Sequence, residues 1–282
     1  MFVQIITDSA SDIVGSHRED LTVLPMTITF GTTEYQDGVN LSHNEFYEKL
    51  VENDKLPVTS QIPPYDFQQA LHKVKEAGDC AIVITMSGKL SGTYQSACLA
   101  AQDFPGMAYV VDSENVAVGE RALITYALQL KDSGMDAPSI VEQLEKEKKN
   151  IRVVALLDTL EYLKKGGRIS KTVAFAGNVL SIKPVIAIQN GEVAILGKAR
   201  GSKQGNNILV EQIKSAGGID FEKPLFLGYT GLSDALIQKY ITDSETLWKN
   251  GVNSLSVATI GGTIGTHAGP GAIAVAFFAK IS

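Results

Sequence analysis

The side chains able to do chemistry gather in three places. Ser91 lies in Ile84-Thr85-Met86-Ser87-Gly88-Lys89-Leu90-Ser91-Gly92-Thr93-Tyr94, where the apolar run Cys80-Ala81-Ile82-Val83-Ile84 ends in a small-residue turn. The run reads as a buried parallel strand, and Thr93 onward as a helix with Ser91 as its N-cap. A strand, a turn and a helix start with free backbone N–H groups make a site for an anion. Thr59 and Ser60 lie between Leu56-Pro57-Val58 and Gln61-Ile62-Pro63-Pro64. The prolines hold that segment extended and leave its hydroxyls free to bind. His267 stands in a loop between Gly265 and Gly269, where backbone can approach a ligand closely. It reads either as a donor to a ligand carboxylate or as a satisfied core histidine.

The missing motifs narrow the chemistry. Gly88-Lys89 would close a P-loop only with glycine at position 83 and a hydroxyl residue at 90. The chain has Val83 and Leu90, so a Walker-type phosphate cradle is excluded. Ser91 lacks the first glycine of Gly-x-Ser-x-Gly, and no carboxylate is evident to orient His267. A serine hydrolase of an acyl ester using Ser91 and His267 is therefore the alternative, behind an anion-binding cap. With no second His or Cys near His267, zinc is not expected, nor any other cofactor. His17, His43 and His72 read as surface residues. Cys80 and Cys98 read as buried structural thiols without metal or redox spacing.

The elements that position these groups alternate strand and helix through about residue 155, the pattern of a doubly wound parallel sheet. The first strand ends at Thr7-Asp8-Ser9-Ala10-Ser11-Asp12, at the carboxyl end where such sheets bind ligands; a helix cap with an Asx-turn is the plainer reading. Short strands follow over Leu21 to Val39. Ser42 and Glu45 form a capping box for the helix Asn44 to Glu52. Further helices run from Val118 to Lys131 and from Asp136-Ala137-Pro138 to near Lys149, and Ile151 to Leu157 closes the pattern as another strand of that sheet. Beyond it a short helix ends at Lys164-Lys165-Gly166-Gly167-Arg168, and an Ala-, Gly- and Val-rich segment follows. Asn190-Gly191 then marks a hairpin between Ile182–Gln189 and Glu192–Lys198. A helix over about Ser202 to Ser215, a strand Leu225 to Tyr229, a helix through Trp248, a strand near Leu255 and the apolar run Ala272 to Ala279 complete the chain. A length of 282 residues accommodates two domains. The expected fold is α/β in two domains, a doubly wound parallel sheet over residues 1–157 and a mixed α/β domain with antiparallel pairing over 158–282, with a ligand between them.

A net charge of -6 argues against non-specific nucleic-acid binding, which demands clustered Lys and Arg. No stretch approaches the ~20 apolar residues that span a bilayer. The start, Met1-Phe2-Val3-Gln4, lacks a basic n-region, so a cytoplasmic location is expected.

Taken together, several strings resemble the DegV family of bacterial lipid-binding proteins. They are Thr7-Asp8-Ser9-Ala10-Ser11-Asp12, Thr59-Ser60-Gln61, Leu90-Ser91-Gly92-Thr93-Tyr94, Lys165-Gly166-Gly167-Arg168-Ile169-Ser170, Ile182-Lys183-Pro184 and Gly265-Thr266-His267-Ala268-Gly269-Pro270-Gly271-Ala272. They match in order and span nearly the whole chain. The resemblance implies a long-chain fatty acid, such as palmitate, in a buried interdomain tunnel. It implies a carboxylate held by Thr59, Ser91 and His267, with Ser60, Gly92 and Thr266 in support. It also implies a non-catalytic role beside a separate fatty acid kinase, docked through Arg168 and Arg200, with Lys164 and Lys165 as further candidates. The physics is compatible: a buried carboxylate needs donors to remain charged, and two hydroxyls, a helix start and an imidazole provide them.

Overall fold

The computed structural model describes residues 2–169, 182–248, 251 and 255–280. In chain order the elements begin with β1 (Val3–Asp8), a 3-10 turn (Ser9–Ser11), β2 (Leu21–Leu24), β3 (Thr27–Phe30), β4 (Thr33–Gln36), α1 (His43–Glu52) and β5 (Val58–Ser60). Next come α2 (Pro64–Glu76), β6 (Cys80–Thr85), α3 (Thr93–Ala101), β7 (Ala108–Asp112), α4 (Val118–Asp132), α5 (Ala137–Glu147), β8 (Ile151–Leu156) and α6 (Glu161–Lys165). The remainder is β9 (Ile182–Gln189), β10 (Glu192–Arg200), α7 (Gly201–Ser215), β11 (Phe226–Tyr229), α8 (Ala235–Asp243), β12 (Ser256–Thr259), α9 (Gly262–Ala268) and β13 (Ile273–Phe278).

Among the described residues these strands form three sheets. The first, β2-β1-β6-β7, is parallel throughout. The second, β10-β9-β8-β13-β11-β12, is mixed, and a small antiparallel sheet, β4-β3-β5, carries Thr59 on β5. Alternation along each strand sets the layers. On β6, Ala81 and Val83 face Phe67 and Leu71 of α2 and Ala97 of α3. Cys80, Ile82 and Ile84 face the opposite way, toward Leu123 of α4 and Ile140 of α5. The same α4–α5 layer receives Val153 and Ala155 of β8, so it is shared by both large sheets. Val154 and Leu156 point outward to Leu209 of α7 and Ile237 of α8. Two α/β domains thus share one buried helical layer.

Three expectations about these elements need correction. β8 does not extend the parallel sheet; it pairs antiparallel with β9 and β13 in the second sheet. Apart from the exposed Arg152 the strand is buried on both faces, and a central strand of a mixed sheet is buried in the same way. The helix expected through Trp248 ends at Asp243, and a 3-10 turn (Glu245–Leu247) leads to that residue. Cys80 is buried as expected, but Cys98 is only half-buried. Other local readings hold. Ser42 and Glu45 form the reciprocal capping box of α1, and Asp136 caps α5. Asn190 and Gly191 take φ of 51° and 79°, the left-handed pair that a two-residue hairpin turn requires. Ser170 and the Ala-, Gly- and Val-rich segment after it lie outside the described residues.

Candidate functional site

His267 does not sit in a loop: it occupies the last turn of the short helix α9. The glycines around it serve close packing. A Cβ at Gly262 would stand 2.5 Å from Ile28 Cδ1, and one at Gly265 2.6 Å from the Tyr47 hydroxyl. The helix is held at its start by two carboxylates of the first domain. Asp12 Oδ1 accepts the Gly261 N–H at 2.7 Å. Asp37 accepts the N–H groups of Gly262 and Thr263, each at 3.1 Å, and the Thr263 hydroxyl at 2.6 Å. Acidic partners at a helix N-terminus complement its dipole. Asp37 also accepts from Ser9 Oγ, at 3.2 Å, so the Thr7–Asp12 string orients α9.

On this support, His267 Nε2 and Thr59 Oγ1 share a hydrogen bond of 3.1 Å. They line a cavity of about 220 Å³ with Leu56, Val58, Lys165 and Arg168. The Nδ1 atom is buried and has no hydrogen-bond partner among the described residues. Gly166 lies against it: a Cβ there would be 2.8 Å from Cε1 and closer still to Nδ1. Burial, with the Arg168 charge as the second cause, lowers the imidazole pKa to about 4. The ring is therefore neutral at physiological pH. A guanidinium that disfavours imidazolium favours an anion in the same place.

Ser91, in the loop before α3, is not brought together with this pair: it is absent from the lining of their cavity, and its hydroxyl is engaged within its own loop. It is not the N-cap; Gly92 holds that position, and the Ser91 hydroxyl accepts the Thr93 N–H at 3.3 Å. Ser91 Oγ also shares a hydrogen bond of 2.9 Å with Thr93 Oγ1, which in turn accepts the Ile62 N–H at 3.4 Å. The Ser91 loop is thus tied to the segment that follows Thr59. From the other side, Arg168 Nε donates to Leu90 O at 3.2 Å. Among the described residues Ser91 makes no hydrogen bond to His267, and no carboxylate stands behind Nδ1, so neither contact of a hydrolytic triad is formed.

The supporting residues fare differently. Thr266 lines the cavity, but its hydroxyl donates to Gly262 O inside α9. Ser60 is exposed and, by strand alternation, points away from Thr59. Gly92 packs under Gln61, whose amide donates to Ser96 Oγ at 3.0 Å. Arg168 is half-buried and turned toward the cavity, whereas Arg200 is exposed at the far end of β10. At 3.3 Å per residue, roughly 26 Å of strand separates Arg200 from the hairpin tip near Leu90. Lys165 pairs with Glu161, and Lys164 is half-buried. His43, expected at the surface, is half-buried because α1 packs on the β12–α9 junction: a Cβ at Gly261 would meet its Nε2 at 2.5 Å. Burial lowers its pKa. Sequence reasoning missed Asp37, which reads locally as an ordinary Asp-Gly turn, and Thr93, whose hydroxyl joins the two loops.

Comparison with known proteins agrees with this architecture. Residues 2–280 match the family model described as "Uncharacterised protein, DegV family". A DegV domain-containing protein of Deinococcus radiodurans is 34% identical over 284 residues, covering 98% of each chain. A structure reported as fatty acid binding of a DegV family protein from Thermus thermophilus superposes with a TM-score of 0.88 at 30% identity, covering 99% of this chain and 100% of that one. The Streptococcus pneumoniae Fatty Acid Kinase (Fak) B3 protein loaded with linoleic acid gives a TM-score of 0.87 at 21% identity, with 99% and 100% covered, a likeness of fold alone.

Proposed function

The chain is a member of the DegV family, and on that premise we propose that it binds a long-chain fatty acid between its two domains. The carboxylate is held at Thr59, Ser91 and His267, with Arg168 as the nearby positive charge. The observation that carries the reading is the Thr59–His267 hydrogen bond in the lining of a cavity that Arg168 also lines. A neutral imidazole, a hydroxyl and a guanidinium suit an anionic head group with few atoms. The tail supplies affinity: about 0.8 kcal/mol per buried methylene amounts to ~12 kcal/mol gross for about sixteen carbons. Association and ordering costs offset much of that, which leaves binding tight and reversible.

The chain performs no chemical step of its own in this reading and presents the head group to a separate fatty acid kinase. Family membership supports that extension, as does a Ser91 hydroxyl engaged with Thr93 and not with a base. No observation favours the hydrolase alternative. The test is mass spectrometry of an organic extract of the purified protein, where a stoichiometric fatty acid is expected. Thr59→Ala should weaken rebinding by about 1–3 kcal/mol, the usual loss when a charged acceptor forfeits a donor. Protein that purifies empty and fails to take up added fatty acid would sink the reading.

A further inference from the structure

We propose that Ser87 is a positioning residue for the head group: it holds the Ser91 loop in register through the β9–β10 turn of the other domain. The proposal rests on the fatty-acid reading above. Ser87 is fully buried. Its hydroxyl donates to Gly191 O at 2.7 Å and accepts the Lys89 N–H at 3.3 Å. Its carbonyl accepts the N–H groups of both Leu90 and Ser91, at 3.0 and 3.1 Å. The turn that ends in Ser91 is therefore built on Ser87.

Within the first domain this turn is fixed where the Ser87 N–H donates to Asn115 O at 2.8 Å and the Gly88 N–H reaches both Asp112 oxygens at 3.2 Å. The second domain reaches it at Gly191 O and, through Arg168, at Leu90 O. The exposed Lys89–Glu192 pair at 3.8 Å adds little. Gly191 is constrained twice over. Its φ of 79° belongs to the left-handed region, and a Cβ there would stand 2.6 Å from Ser87 Oγ. Ser87, Gly191 and Ser91 all stand outside the lining of the cavity with Thr59 and His267, and the Ser91 loop meets that lining through Arg168, which donates to Leu90 O. The effect of Ser87 and Gly191 on the ligand must pass through the placement of Ser91, which comes from one domain while His267 and Arg168 come from the other. A buried donor–acceptor pair fixes such a placement because separating it leaves both groups unsatisfied.

The experiment compares affinity for a saturated C16 fatty acid and for the alcohol of the same tail, which lacks the carboxylate. It uses the wild type, Ser87→Ala, Gly191→Ala and the double variant. Loss of one buried hydrogen bond should weaken acid binding about tenfold in each single variant, with alcohol binding nearly unchanged. The double variant should be no worse than the poorer single, because both break one contact. Equal weakening of acid and alcohol, full additivity, or unchanged acid binding overturns the proposal. If Ser87→Ala fails to fold, the acid-to-alcohol ratio of Gly191→Ala decides by the same criteria. A wild type that binds neither ligand overturns the fatty-acid reading and this proposal with it, a result distinct from equal weakening.

Discussion

Replacing Gly166 by alanine isolates the placement of His267. Gly166 follows α6 with φ of −74° and ψ of −8°, a right-handed conformation that alanine adopts without strain. Backbone preference therefore favours the variant, by up to about 0.8–1.0 kcal/mol on intrinsic helix scales. The methyl carbon, however, would lie 2.8 Å from His267 Cε1, closer to Nδ1, and 3.1 Å from Tyr162 O. The ring has to retreat, and its 3.1 Å hydrogen bond with Thr59 lies at the other edge. Overpacking of this kind costs about 1–3 kcal/mol, and the lost hydrogen bond about 1 kcal/mol more. For binding, the displaced ring costs a donor to a charged head group, about 1–3 kcal/mol, so at 1.4 kcal/mol per decade fatty-acid affinity should fall roughly 5–150-fold. Stability should fall as well, by about 1–3 kcal/mol once the helix gain is set against the clash and the lost hydrogen bond. Displacement of a fluorescent fatty acid gives the affinity and calorimetry the stability. An affinity within about threefold of wild type would refute the geometry argued here, because the ring would then not govern the head group.

Three further outcomes follow from the same structure. Gly92→Ala places a Cβ against the amide of Gln61, an exposed side chain that can swing aside at the expense of its 3.0 Å bond to Ser96 Oγ, so urea unfolding should show a loss of about 1 kcal/mol. Asp37→Ala removes three donors' acceptor at the start of α9 and should cost about 3 kcal/mol in urea, with fatty-acid binding falling as His267 loses its support. Burial raises the Asp8 pKa to about 7, with the Asp37 charge acting in the same sense and the N–H groups of Met86 and Ala10 opposing. Because the folded value exceeds the unfolded one, this stabilising contribution is fully present below the ordinary aspartate value of 3.8 and lost as pH rises through about 7. The urea midpoint of Asp8→Asn relative to wild type should therefore improve between pH 5 and 8; a constant difference would contradict the assignment.

Local sequence carried the elements whose causes are local. The Ser42–Glu45 box, the Asn190-Gly191 turn and the apolar run of β6 each contain their own explanation, since capping, positive φ and two-sided burial act within a few residues. The strings around Thr59 and His267, expected to act together, do meet: their side chains share a hydrogen bond across 208 residues. What the strings could not convey was partnership. Ile151 to Leu156, apolar but for Arg152, suggested a parallel strand, yet its neighbours are β9 and β13, and only the packed chain selects them. Gly265 and Gly269 suggested a loop, whereas α9 is a helix because Asp12 and Asp37, more than two hundred residues earlier, accept its first N–H groups.

By itself, then, the sequence determined which hydroxyl, imidazole and guanidinium side chains are available and the stiff or small-residue segments that bear them. The tertiary structure decided their pairing: Thr59 with His267, Ser91 with Thr93, and Arg168 facing the cavity while Arg200 remains outside its lining. The physical reason is that hydrogen-bond partners and desolvation depend on which distant elements meet. A neutral, buried imidazole beside a guanidinium is a property of α9 packed against the end of α6, and of neither stretch alone.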